Sequence, residues 1–227
     1  MKVLNEGYIN LLESWGSDQS IVEAARMSTD KGFLGWGTED QPGDEKLLGY
    51  LWKNRHTSPF EQAGATFEVQ APIFVFREWH RHRTQSYNEF SARYSVMPNI
   101  HWYPTLDRIK RSADSNKQAQ GINPLVDSGI VINKWIARGI ELQQLIYDHY
   151  EQGLALGIPK EVARFNTPVS RYSKMRASAN LLNWLRFLGL RNDPHAQEEI
   201  RVYAAELENL LMGVFPRTIA LFKEKKI

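Results

Sequence analysis

The chain has 227 residues, a formal net charge of +2 and no cysteine. That length suits one domain. The near-neutral charge argues against a nonspecific nucleic-acid binder, and the lack of cysteine excludes disulfides, thiolate metal sites and cysteine nucleophiles. Residues 1–6 lack the apolar core of a signal peptide, and no apolar run approaches the ~20 residues that span a bilayer. A cytoplasmic protein with no membrane partner is expected.

Taken in order, Ser17 and Asp18 precede Ile21, Val22, Ala24, Ala25 and Met27, a polar cap before a helical apolar face. Ser28 falls at or just past the end of that helix. Residues 29–44 carry Gly32, Gly35, Gly37, Pro42 and Gly43 and read as a loop. Leu47, Leu48, Leu51 and Trp52 restore helical spacing over about 44–54. The polar, proline-broken run 56–61 reads as a connector. Ala65, Phe67, Val69 and Ala71 alternate with Thr66, Glu68 and Gln70, which predicts a strand with one buried face. Pro72 opens a helix through residues 73–79, expected to carry Arg81, His82 and Arg83 out of the core, with an irregular loop over 86–94.

Residues 95–124 hold no sustained period, and 112–121 read as a mobile polar loop. The longest helix is predicted over about 126–156, with Ile130, Trp135, Ile136, Ile140, Leu142, Leu145, Ile146 and Tyr150 in the core. Pro159 opens a short helix carrying Arg164, and 166–172 reads as an extended connector. A helix over 179–190 buries Leu181, Leu182, Leu185 and Leu188. Asn180 and Arg186 lie on its other faces. Arg191 sits at its end, where the helix dipole alone would favour a cation. Pro194 begins a last long helix to about Val214, followed by a final turn from Pro216 and a solvated tail over 223–226. No internal repeat or linker divides the chain.

One stretch escapes this periodicity. Residues 80–94 crowd Arg81, Arg83, Arg93, His80, His82 and Glu89 among hydroxyl and amide groups. Cations so close repel one another unless an anion sits between them, and a phosphate suits the planar fork of arginine. A solvated basic loop is the plain alternative. Ser91 reads as a phosphate ligand rather than a nucleophile, because no general base in the sequence is committed to it.

In the frame Arg-His-Arg-x-x-Ser-x-Asn-x-x-Ser-x-Arg, Arg81, His82, Arg83, Ser86, Asn88, Ser91 and Arg93 match without a gap. This pattern resembles the signature of flavin-dependent thymidylate synthases. Further landmarks of that family are matched in order by residues 25–28, 56–61, 161–164, 190–191 and 195–197. The resemblance implies an α+β fold, with 1–227 as a single catalytic domain that assembles as a homotetramer and shares its active sites between subunits. It implies reductive methylation of dUMP to dTMP. Methylenetetrahydrofolate would donate the carbon, and FAD reduced by NADPH would carry the hydride.

By the same resemblance, Ser28, His56, Ser58, Glu61, Arg81, His82, Arg83, Thr84, Glu89, Asn180 and Arg186 would hold FAD. Glu78, Arg81, Glu89, Phe90, Ser91, Ala92, Arg93, Arg164 and Arg191 would bind dUMP, with Arg93 and Arg164 on its phosphate. Arg191 would be catalytic, favouring ionisation at N3 of the uracil. No metal site is implied. The chain departs from the family at Arg186, where histidine or asparagine is usual, at Leu182, where arginine is common, and at Glu78, often glutamine. Those departures keep open a relative that modifies another pyrimidine nucleotide or transfers a hydroxymethyl group. A nucleic-acid-binding protein using the same arginines is a more remote reading.

Overall fold

The structure, a computed structural model, describes residues 1–38, 40–41, 43–110 and 129–225. The predicted loop at 112–121 therefore lies outside the described residues, as do the first residues predicted for the long helix. A five-stranded antiparallel sheet forms the frame, in the order β1-β2-β3-β5-β4. Its strands are β1 (Lys2–Val3), β2 (Gly7–Trp15), β3 (Gly64–Pro72), β4 (Ser86–Glu89) and β5 (Tyr172–Asn180).

Around it are α1 (Asp18–Arg26), α2 (Asp44–Lys53), α3 (Ile73–Trp79), α4 (Leu106–Lys110), α5 (Gly129–Ala155) and α6 (Lys160–Ala163). The chain closes with α7 (Leu181–Arg191), α8 (Glu198–Val214) and α9 (Pro216–Glu224). No helix among the described residues is long and apolar enough to cross a membrane.

The alternation over 65–71 is a strand, but both of its faces are covered. β3 is the central strand, with Phe67 opposite Leu11 on one side and Ala177 on the other. Phe67, Val69 and Ala71 are fully buried, and Thr66 and Gln70 are buried as well. The polar face is covered because its groups find partners. Thr66 Oγ1 donates to Ser178 Oγ at 3.0 Å, Gln70 Nε2 donates to the Glu6 carbonyl at 2.5 Å, and Tyr8 Oη donates to Glu68 at 2.8 Å. A paired group costs little to bury, whereas an orphaned one costs about 1–3 kcal/mol.

The apolar face packs on α7 and α8. Trp184 stands edge-on to Phe67 at 5.1 Å and gives its indole N–H to the Ala65 carbonyl at 2.9 Å. Trp79 lies 4.5 Å from Phe187 and donates to Gln85 Oε1. Gly7 is required where β2 meets α8: a Cβ there would sit 1.9 Å from the Tyr203 hydroxyl, which donates to the Gln70 carbonyl.

α3 ends at Trp79, as expected, and Arg81–Arg83 lie in the turn after it. Several other expectations are corrected. Ser86–Glu89 is an edge strand on β5 rather than irregular loop. β5 runs through to Asn180, so the next helix begins at Leu181 rather than Ala179. The 56–61 connector contains a 3-10 turn over Ser58–Glu61. α8 starts at Glu198, four residues past Pro194. The residues after Pro216 form α9, in which Lys223 pairs with Glu208 at 3.1 Å.

The largest correction concerns α5. Tyr150 is buried there, but Ile130, Trp135, Ile140, Leu142 and Leu145 are exposed rather than in the core. The period marks an apolar face correctly, and within one chain most of that face stays uncovered.

Candidate active site

The sharpest polar constellation joins α3 and α7. Glu78 lies in the last turn of α3, His82 in the turn beyond it, and Arg191 at the C-terminus of α7. Arg191 Nε donates to His82 Nε2 at 3.0 Å. Its Nη1 donates to Glu78 Oε2 at 3.0 Å, and its Nη2 to the Glu78 carbonyl at 2.9 Å. A guanidinium has five N–H groups, so one on each Nη remains for a ligand.

His82 Nε2 must be unprotonated to accept, which puts the ring proton on Nδ1. Burial, with the Arg191 cation beside it, pushes His82 down to about 4. The Tyr87 hydroxyl fixes this turn by donating to the His82 carbonyl at 2.6 Å, and the imidazole lies 4.8 Å from Phe187. Burial pushes the Glu78 carboxyl above its ordinary value; Arg191 opposes that shift and Glu199 adds to it.

This arrangement has a pH dependence. In the folded chain His82 titrates near 4, against 6.5 when unfolded, so between those values the unfolded chain binds more protons. Stability is then fully present above pH 6.5 and falls as the pH drops toward 4. The buried His101, also lowered to about 4, acts with the same sign. Urea midpoints at pH 7 and pH 5 should therefore differ in favour of pH 7, and His82→Gln should narrow the gap. An equal gap in the variant would contradict the assignment.

The expected cofactor residues fall into separate groups. Ser28 and His56 line a cleft of about 660 Å³ with Ser58, Arg26, Lys31 and Tyr50. Glu61 ends the neighbouring 3-10 turn and is exposed. Asn180 caps α7, its Oδ1 accepting from the Asn183 N–H at 3.0 Å, while the Leu181 N–H reaches the Ala63 carbonyl at 2.7 Å. This brings the start of α7 beside that turn.

Arg186 lies on the exposed side of α7, and Leu182 faces the core at 1 % exposure. The arginine common at position 182 would have no space here. Arg81, Arg83 and Thr84 are exposed but do not line the cleft. From Asn180 to Arg191 the helix rises roughly 16 Å at 1.5 Å per residue. Asn180 near the cleft and Arg191 beside His82 thus stand at opposite ends of α7, with Arg186 exposed between them. Hydroxyls, an amide and cations at these places suit a phosphorylated ligand.

Of the expected nucleotide residues, Glu89, Phe90, Ser91, Ala92 and Arg93 lie at the other end of β4, apart from Glu78 and Arg191. Glu89 ends that strand, and the Phe90 N–H donates to the Lys174 carbonyl at 2.8 Å. A tight turn follows, in which the Ser91 carbonyl accepts from Tyr94 and Ser95, and Ser91 Oγ accepts from the Arg93 N–H at 3.3 Å. Among the described residues no side-chain base is hydrogen-bonded to Ser91 Oγ. Arg93 pairs with Glu161 at 2.5 Å, both side chains being well exposed. Arg164 caps α6 and is exposed.

Ala92 is buried with Met97, Tyr150 and Ala163, so only its main chain is suited to meet a ligand. The sequence reading passed over Lys174 and Arg176, which line a hollow of about 240 Å³ with Glu68, Asn88, Glu89 and Phe90. It also gave no role to Arg26, Lys31 or Tyr50 at the larger cleft. The alternation Lys174, Arg176, Ser178 against Ser173, Met175, Ala177 was the available signal for the first pair.

Comparison with known proteins bears on this geometry. The family described as "Thymidylate synthase complementing protein" matches residues 10–217. The chain is 39% identical over 225 residues to a flavin-dependent thymidylate synthase of Wolbachia pipientis wMel, covering 98% of this chain and 76% of that protein. It belongs to the flavin-dependent thymidylate synthase family.

A further flavin-dependent thymidylate synthase, from Treponema denticola, is 40% identical over 222 residues, covering 98% of this chain and 81% of its own length. Among solved structures, the UMP/dUMP methylase PolB from Streptomyces cacaoi bound with 5-Br dUMP superposes with a TM-score of 0.83. That match has 30% identity and covers 100% of this chain and 98% of the other. PolB bound with 5-Br UMP gives a TM-score of 0.82. As a member of this family the chain is an enzyme, and the family name implies a flavin.

Proposed function

We propose that this enzyme reductively methylates dUMP to dTMP in the cytoplasm, with methylenetetrahydrofolate as one-carbon donor and FAD reduced by NADPH as hydride carrier. The observation that carries this reading is Arg191. It is pinned by Glu78 and His82 at the end of α7, with N–H groups left over for a ligand. Bound FAD supplies the hydride. The chain's own residues bind and polarise. Arg191 stabilises negative charge developing at N3 and O4 of the uracil, which raises electron density at C5. With no cysteine in the sequence, activation of C5 falls to such electrostatics.

In this reading Ser28, His56, Ser58, Glu61 and Asn180 hold one part of FAD. Arg81, His82, Arg83, Thr84, Glu89 and Arg186 hold the rest, with His82 neutral and donating from Nδ1. Glu78, Arg81, Glu89, Phe90, Ser91, the Ala92 main chain, Arg93 and Arg164 hold dUMP. The Arg93–Glu161 pair is exposed and therefore weak, so Arg93 is free to turn to a phosphate.

The whole chain acts as one catalytic domain and self-associates as a homotetramer with shared sites. The uncovered apolar face of α5 supports this, because a contiguous exposed patch of this kind commonly marks a protein contact. A second reading, another pyrimidine nucleotide or a hydroxymethyl product, is favoured by the Glu78 carboxylate beside Arg191. It would leave a product other than dTMP in the mass spectrum.

The experiment is a visible spectrum of the purified protein before and after adding dUMP. A flavin band that dUMP perturbs is the expected result. A protein that FAD cannot reconstitute would defeat the proposal.

A further inference from the structure

Arg171 is the outlier among the cations of this chain. It is 5% exposed, and among the described residues its guanidinium reaches only the neighbouring Tyr172 carbonyl, at 3.1 Å from Nη1. Its Nε is buried with no partner. No carboxylate among the described residues lies within ion-pair distance of it.

The residues around it are equally unsatisfied. His101 pairs with Arg171 across an isolated antiparallel bridge, is 5% exposed, and has no partner on either ring nitrogen. Ser173 is two residues further on, inside β5, and two residues along extended backbone share a face. It is 4% exposed, and its hydroxyl also lacks a partner.

An arginine does not shed its proton at neutral pH, and an unpaired buried charge is costly. The Glu89 carboxylate favours the Arg171 charge only from beyond ion-pair distance, so the cluster calls for a closer anion. Its surroundings name one. The groups whose charges bear on Arg171 are Glu89, Arg164 and Tyr150. Tyr150 packs with Ala92 and Ala163, which adjoin Ser91, Arg93 and Arg164 in the sequence. Two of the proposed nucleotide residues, Glu89 and Arg164, thus lie close enough to act on this cation.

We infer that Arg171, backed by His101 and Ser173, is a buried phosphate ligand that meets the 5′-phosphate of the nucleotide from beneath Arg164. This rests on the proposed nucleotide site. The test exploits the cost of an unpaired charge. Methionine is apolar and similar in length, so Arg171→Met removes the charge without opening a large cavity.

In the full-length chain, the unliganded variant should melt at the same temperature as the wild type or higher. Its affinity for dUMP should fall roughly ten- to a hundredfold, as for losing a charge-assisted hydrogen bond. Affinity for deoxyuridine should not change, and protection by inorganic phosphate should be lost. A lower melting temperature with unchanged dUMP affinity would assign Arg171 a purely structural part and overturn the inference.

If Arg171→Met does not fold, Arg171→Lys carries the test, since lysine lacks the planar fork. A selective loss of dUMP affinity over deoxyuridine supports the inference, and equal affinities overturn it. Wild-type protein that binds neither dUMP nor phosphate would instead refute the proposed function.

Discussion

Replacing Arg191 with alanine should lower dUMP turnover roughly 10²–10³-fold, the usual cost of removing one preorganised donor to a developing anion. Flavin content should be nearly unchanged, because Arg191 touches the proposed cofactor residues only through His82. The loss should appear mainly in kcat. An interaction made chiefly in the transition state lowers kcat without a matching change in KM.

The geometry allows a sharper version. Glu78 takes two of the Arg191 hydrogen bonds, one through its carboxylate and one through its carbonyl. Arg191→Lys keeps the charge but cannot span both acceptors and His82 while still facing a ligand, since an ammonium has no planar fork. Lysine should therefore recover little of the rate. The alanine variant also leaves the Glu78 carboxyl without its cation, so its titration should move further up. Near-normal turnover in Arg191→Ala would remove the ionisation role.

What the sequence disclosed about this site, and what it hid, has physical causes. α7 was readable because Leu181, Leu182, Leu185 and Leu188 mark one helical face, and all four are buried. β3 was readable from its alternation. β5 was not, although it is the strand on which β3 and β4 both pair. After Tyr172 it is built from Ser173, Lys174, Met175, Arg176, Ala177, Ser178, Ala179 and Asn180, none of them β-branched or aromatic, so it carries little propensity signal. Its small residues suit a strand covered by bulky neighbours.

Missing β5 meant missing Lys174 and Arg176 at the hollow, and Arg171 just before the strand. Arg191, His82 and Glu78 were legible as candidates only through resemblance. Their contacts span 109 and 113 positions of sequence, and no local pattern reports such a pairing. The exposed face of α5 marks the opposite limit. Periodicity shows that a face is apolar, but not whether the same chain covers it.

The second large effect concerns stability. Asp44 is fully buried at the start of α2. Its carboxylate accepts from Arg26 Nε at 2.8 Å, from Arg26 Nη2, and from the Leu34 N–H at 2.7 Å. Three segments meet on this one group: the last turn of α1, the loop before α2, and the first turn of α2.

Asp44→Ala would strand the Arg26 cation, whose side chain is only 16% exposed, and orphan the Leu34 N–H. Breaking a buried pair from one side costs about 3–5 kcal/mol, a large share of the roughly 5–15 kcal/mol that holds a domain together. The urea midpoint should fall accordingly, and adding salt should change the difference little, since a buried pair is poorly screened.

Arg26→Met combined with Asp44→Ala should recover part of the loss, because the double variant no longer buries an unpaired charge. A double variant as unstable as the sum of the singles would show that the two residues act independently. Arg26 also borders the cleft of Ser28, His56 and Ser58. Loosening α1 from α2 therefore opens the wall of the proposed cofactor site, and Asp44→Ala should purify with less flavin than the wild type even at temperatures where it remains folded.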